Sequence, residues 1–372
     1  MAGDLEVEVA VAGAGMAGSA AAWALAAHAR VALLEREAQP GWHSTGRSAA
    51  MLTETYGTAA VRALASASAP FLEAPPEGFA APLLSPRGML HLAGPDQMAA
   101  LDAAERFAAA CGARTRRLDA AEVCALAPLL DPARVGGGLL EPDAQAIDVA
   151  ALHQGFLRGL KARGGQLLTH AEITGVERDA GGWRLLTRAG TIRAGILVNA
   201  AGAWADELAL QAGAPPVGLV PKRRTAILLD PPDGADPALW PMVIDVEERF
   251  YIKPESGLLL VSPADETPVP PSDVQPEELD VAIAVDRFEQ VTGRRVARVV
   301  RRWAGLRSFV ADHDPVVGVD PARPGFVWLA ALGGFGIMTA PALGQFAAAA
   351  ALGRSPPGLG QDPERLGPGR LR

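Results

Sequence analysis

The feature that most constrains this chain is Gly13-Ala14-Gly15-Met16-Ala17-Gly18, set between the alternating run "LEVEVAVA" (5–12) and an alanine-rich stretch ending "AAAWALAAHA". A strand that meets a glycine turn and then a helix is the opening of a dinucleotide-binding βαβ unit. Gly13 permits the tight turn, and Gly15 lets backbone approach a pyrophosphate. Gly18 allows close helix–sheet packing, and the first helical turn, with Met16 and Ala17, presents free N–H groups to the anion. The next strand, "RVALLERE", carries Glu35, 22 residues after Gly13, followed by Arg36. A carboxylate there can accept from both ribose hydroxyls. The plainer alternative is a glycine turn in any alanine-rich helix pair; strand, helix and acid in one context favour the dinucleotide.

Which dinucleotide is a separate question. After Glu35 comes "AQPGWHSTGRSAAMLTETYG", a long polar stretch in which Ser44, Thr45, Ser48 and Ala49 are small enough to lie along a bound cofactor. A nicotinamide domain would continue into another βαβ unit instead. A second small-residue turn, "ILVNAAGAWADELA", offers Ala201, Gly202 and Trp204. A third, "LGGFGIMTAPALG", offers Gly333, Gly334, Phe335, Gly336, Ile337 and Met338 before a helix whose positive end could face the flavin ring. Backbone-approach sites spread along the whole chain suit FAD wrapped by a discontinuous domain. The expected class is α/β, with βαβ material at both ends and a β-rich insertion between.

Composition excludes other classes. The 372 residues are 49% hydrophobic and 20% charged, which suits a packed core, and the net charge of −8 argues against nucleic acid. No apolar stretch reaches the length of a membrane span, and the acidic N-terminus is unlike a signal peptide. Two cysteines, Cys111 and Cys124, fit a reducing cytoplasm, and the six scattered histidines predict no metal site.

The stretch "VGLVPKRRTAILLD" (217–230) reads as a buried strand, yet it carries Lys222, Arg223 and Arg224 in its middle. Successive side chains point to opposite faces, so Arg223 and Arg224 cannot both reach the same solvated side. One guanidinium is aimed inward, where it needs an anion.

"GWHSTGRSAA", "VNAAGAW", "PKRR", "FYIKP", "WAGLRSFVAD" and "GGFGI" follow the glycine turn in that order. Together they resemble the FAD-dependent D-arginine dehydrogenases, within the wider D-amino acid oxidase family. The resemblance implies a Rossmann-like FAD-binding domain (1–79, 144–212 and 310–358) and a substrate domain on an antiparallel sheet (80–143 and 213–309), with 359–372 an extended tail. It implies FAD with Gly305 beside it; some relatives bond the flavin through a cysteine between the last arginine motif and the last glycine turn, but residues 307–344 contain none, so non-covalent FAD is expected. It also implies oxidation of a D-amino acid to an imino acid, hydrolysed to a 2-oxo acid and ammonia, with oxygen, a quinone or a carrier protein as electron acceptor. Arg224 and Arg307 would grip the substrate carboxylate, Tyr251 would donate to it, and Tyr56 would lie on a loop over the site. An internal salt bridge for Arg224 and plain packing for Tyr251 are the alternatives. The pocket would include Met51, Thr53 and Gly88, where Met51 and Gly88 replace a histidine and a glutamate of the resembling enzymes. A cationic side chain would lose its partners there, so neutral or apolar substrates are expected unless Glu54 restores a charge. Competing readings are oxidation of a secondary amine, as in sarcosine or glycine oxidases, and a flavin- or NAD-binding regulatory protein without turnover.

Overall fold

A computed structural model describes residues 4–179, 181–355 and 363–372. β1 (Leu5–Ala12), α1 (Met16–Leu25) and β2 (Val31–Leu34) form the βαβ unit, with β1 and β2 parallel. Around them an eight-stranded sheet takes Gln166–Leu168 beside β2 and Gly190–Asn199 beside β1, both parallel. Phe326–Ala330 adds a further parallel strand to the far half of Gly190–Asn199, and Val316–Val319 closes that edge antiparallel. The near half of Gly190–Asn199 instead pairs antiparallel with Gly182–Thr187. Val9, Val11, Leu33 and Val327 pack one face against α1 and the helix Gly336–Ala351, both rich in buried alanine. Small side chains let these two helices approach closely: a Cβ on Gly344 would lie 2.8 Å from that of Ala20.

A nine-stranded, mostly antiparallel sheet forms the second layer. Its centre pairs Val220–Leu229 with Arg301–Phe309, Leu258–Ser262 and Thr267–Pro268. One face of Val220–Leu229 (Arg223, Thr225, Ile227, Leu229) is buried, with Ile227 and Leu229 in a core shared with the helix Glu278–Thr292. Met51–Leu52, Gln145–Ile147 and Leu84–Pro86 form a separate small antiparallel sheet.

Aspartates ahead of the runs "AAEVCALAP" and "VAALHQGFLRGLKARGG" read as helix N-caps, and so they are: Asp119 caps Ala120–Leu126 in a capping box, and Asp148 caps Val149–Ala162. Two expectations need correction. The run after the helix Val149–Ala162 reads from sequence as one strand near 166–177 but forms two, at opposite edges of the first sheet, because the chain turns at His170 with φ +53°. The tail is not extended where it is described: Pro363–Leu366 is helical and Pro368–Leu371 a 3-10 turn. Arg370 and Arg372 bind Asp312 and Asp320, which holds this segment to the body. Residues 359–362 lie outside the described residues. No helix among the described residues is long and apolar enough to cross a membrane.

Candidate active site

The parallel strands all end at one edge, where Ala12, Glu35, Ala200 and Ala330 meet, and ligands of open α/β sheets bind at that edge. A cavity of about 420 Å³ begins there and runs to the second sheet. Gly13 has φ +98°, and a Cβ on it would lie 2.4 Å from the Ala200 carbonyl oxygen. Gly18 is pressed against the Gly13 carbonyl and does not reach the cavity, as its packing role requires. Glu35 accepts from the amide N–H of Ala14 (3.0 Å) through one oxygen and from that of Glu37 (3.0 Å) through the other. Burial raises its carboxyl pKa, and the two amide bonds offset part of that rise. The amide of Met16 donates to Thr45 Oγ1 at 3.0 Å, while Gly15 N–H has no protein partner among the described residues. A Cβ on Gly15 would lie 3.3 Å from Thr45 Oγ1 and narrow the cavity that Gly15 lines. These features fit a dinucleotide pyrophosphate at the start of α1.

Arg36, Ser44, Thr45, Ser48, Ala49, Ala201, Gly202 and Trp204 all line the same cavity. Arg36 lies 4.8 Å over the Trp204 ring and bonds Glu172; the His43 ring is tilted against the same ring, also at 4.8 Å. His43 and Glu172 were not foreseen, since nothing local marks them. Ser44 Oγ donates to the Leu306 carbonyl, and Arg47 Nη1 donates to that of Ala304 at 2.8 Å. The segment Ser44–Arg47 thereby joins the Glu35 end of the cavity to the strand Arg301–Phe309.

At the far end, antiparallel register puts Lys222 opposite Arg307 and Arg224 opposite Gly305, so these four share one face. Arg307 Nη1 donates to Tyr56 Oη at 3.1 Å. Burial works against the Arg307 charge, but Tyr56, Tyr251 and Glu266 more than offset it and its pKa is raised. Its guanidinium lies against Gly334, where a Cβ would come within 2.9 Å of Cζ. Gly333, Gly336, Ile337 and Met338 complete this end, whereas Phe335 turns off the cavity and packs edge-on under Tyr56 at 4.9 Å. Tyr251 is buried and lines the cavity beside Met51, Met89, Met242 and Ile244.

The two arginines of the strand part company. Arg223 is the inward one, 6% exposed, paired with Asp280 (2.9 Å), Glu277 and Asp265 (3.7 Å). It is structural rather than solvated. Arg224 faces the cavity, but its Nε donates to the Asp265 carbonyl and its Nη2 to Glu266, at 2.8 and 2.9 Å. The internal salt bridge weighed against a clamp is therefore present, and Nη1 alone carries no hydrogen bond among the described residues. Glu266 also pairs with Lys222 at 2.9 Å. Gly88 is off the cavity wall; Met89 occupies it, because the chain turns at Gly88 with φ +70°. Thr53 is on the wall with its hydroxyl bonded to Glu141, and Glu54 is exposed and off it.

A Rossmann-type sheet whose strand ends open onto a cleft shared with an antiparallel layer defines a two-layer dinucleotide-dependent oxidoreductase. The chain belongs to the DAO family of FAD dependent oxidoreductases, whose model matches residues 8–350. FAD is thus its cofactor, and the cavity lined by Gly15, Glu35, Ser44, Thr45 and Arg47 has the chemistry such a group requires. It is 29% identical to glycerol-3-phosphate dehydrogenase 1 of Mycobacterium tuberculosis over 53% of this chain and 39% of that protein. Over 69% of this chain and 65% of that protein it is 27% identical to glycine oxidase of Bacillus licheniformis. The chain therefore spans less than two thirds of these relatives' lengths. Its fold is shared with solved glycine oxidase from Geobacillus kaustophilus (TM-score 0.83, 24% identity, 94% and 96% of the two chains). The L-proline dehydrogenase from P. horikoshii is similar too (TM-score 0.85, 23% identity, 99% and 98%).

Proposed function

We propose that this chain oxidises the amine-bearing carbon of a small amino acid, a D-amino acid with a neutral or apolar side chain, to the imino acid. The observation that carries this reading is Arg307. A half-buried guanidinium beside Tyr56 shares its cavity with Tyr251, Met51, Met89, Met242 and Ile244. A planar carboxylate is the partner such a fork recognises, and the methionines accept an apolar side chain. Bound FAD supplies the two-electron acceptor for hydride from the substrate carbon. The protein's part is orientation: Arg307 and the two tyrosine hydroxyls fix the carboxylate, and the free Nη1 of Arg224 adds a second donor. The apolar wall keeps water from the carbon while it reacts, and hydrolysis of the imino product then yields a 2-oxo acid and ammonia. The D-handedness follows the resemblance to D-arginine dehydrogenases; the apolar preference follows Met51 and the methionine wall.

Steady-state kcat/KM tests it. D-leucine or D-phenylalanine should exceed D-arginine several-fold or more, since the methionine side chains give a cation no partner and Glu248, which lines the same cavity, is the carboxylate that would have to supply one. Equal or reversed values would overturn the apolar pocket. A second reading, oxidation of a secondary amine, draws support from relatives that include human sarcosine dehydrogenase, 25% identical over 63% of this chain. Faster turnover of sarcosine than of any D-amino acid would put that reading first.

A further inference from the structure

Glu141 ends the strand Gly137–Glu141 and is 1% exposed. Its carboxylate accepts three hydrogen bonds, each of 2.7 Å, all from one stretch: Thr53 Oγ1, the amide of Glu54, and Thr55 Oγ1. The next residue is Tyr56, whose hydroxyl meets Arg307. This stretch has no ladder of its own, because strand pairing with Gln145–Ile147 stops at Leu52. On its other side Gly57 has φ +89°, and Thr58, which caps the following helix, bonds Asp314. The loop carrying Tyr56 is thus tied at both ends to fixed elements, and Glu141 supplies the tie on the strand side. Glu141 itself does not line the cavity.

We propose that Glu141 is a positioning residue: it holds the segment 53–55 so that Tyr56 sits on Arg307, and it sets carboxylate affinity without touching the ligand. A buried carboxylate is stable without a cation where several donors are fixed around it, and here these donors order the loop. The effect on affinity rests on the reading of Arg307 and Tyr56 as the carboxylate site; the effect on the loop does not.

The test uses the FAD-loaded protein and benzoate, a planar carboxylate on an apolar ring, titrated by the change in flavin absorbance. Amide hydrogen exchange across residues 53–57 is measured in parallel. Glu141→Ala should weaken benzoate about fivefold to tenfold, as loss of an ordered hydrogen-bonding group does. Tyr56→Phe should do the same, and the double variant should bind no worse than the weaker single one. Exchange at 53–57 should quicken in Glu141→Ala and not at Ala59–Glu73. Glu141→Gln should stay within about twofold of the parent, since its oxygen still accepts from Glu54 N–H and its amide can donate to two hydroxyls free to turn. If Glu141→Ala fails to fold, Thr55→Val removes one of the same bonds from the loop side and is read the same way. Unchanged exchange at 53–57, or multiplying effects in the double variant, overturns the proposal. If the parent binds no benzoate, the carboxylate reading fails, and the exchange comparison alone decides whether Glu141 orders the loop.

Discussion

Neighbouring residues of one strand do opposite work here because a strand alternates its faces. Arg223 is spent on the core: removing it leaves Asp280 and Asp265 buried without their cation, a loss of about 3 kcal/mol or more. Arg223→Ala should lower the melting temperature by roughly 5 °C or more, with carboxylate affinity in the surviving fold little changed. Arg307 is the reverse case. Arg307→Ala should weaken a carboxylate ligand about 100-fold while FAD stays bound, and Arg307→Lys should recover little, since an ammonium lacks the planar fork. Between them stands Glu266. Partial burial pushes its carboxyl up, but Lys222, Arg224 and Arg307 outweigh that and hold it below the usual range. Glu266→Gln removes a carboxylate that competes for Arg224, so benzoate should bind several-fold tighter; weaker binding would mean that Glu266 serves to aim Arg224. That one guanidinium turns inward and that Arg224 could be salt-bridged were legible in the strand; the partners Asp280, Asp265 and Glu266 were not, because they meet the strand only across a long sequence separation.

At the scale of elements, the sequence was most readable where backbone geometry demands a residue type. The turn at Gly13, the caps at Asp119 and Asp148 and the glycine turn before Gly336–Ala351 could all be placed from local chemistry. What could not be placed was the aim of a side chain after an irregular turn. Gly88 and Phe335 lie in the expected segments, yet left-handed backbone at Gly88, and likewise at Gly333 (φ +49°), decides which neighbour meets the cavity. Glu141 gave no signal at all, since a glutamate at a strand end reads as exposed. Gly334 offers a direct check. Gly334→Ala puts a Cβ against the Arg307 guanidinium, and KM should rise at least about tenfold with FAD content unchanged. Glu35 offers a pH test. Its raised pKa means the folded chain takes up a proton before the unfolded chain does as pH falls; by itself this group costs the fold stability as pH rises through that value. A role toward FAD would run the other way, because a protonated carboxyl loses acceptor capacity for ribose hydroxyls. FAD release, followed by flavin fluorescence, should therefore begin at a pH above the ordinary carboxylate range; retention down to that range would remove Glu35 from the cofactor site.

For the whole molecule, the βαβ start and the return of a parallel strand near the C-terminus explain why one cavity draws residues from Ala12 to Met338. The class of fold was legible from those two ends. The order of the second sheet was not, because its pairs, such as Met242–Asp245 with Met89–Ala93, join segments far apart in sequence. The cavity takes its walls from both layers, so FAD held there would tie them together and its removal should destabilise the chain; at a hundredfold excess over Kd the cofactor contributes about 2.7 kcal/mol, visible as a lower melting temperature of the stripped protein. The most direct measurement is anaerobic mixing of the FAD-loaded protein with D-leucine, D-phenylalanine, D-arginine, sarcosine and glycerol 3-phosphate, recording flavin absorbance near about 450 nm. Rapid bleaching by the two apolar D-amino acids, with D-arginine slow, is the expected result. Bleaching by glycerol 3-phosphate alone, or by D-arginine fastest of all, would contradict the carboxylate-and-apolar site built on Arg307.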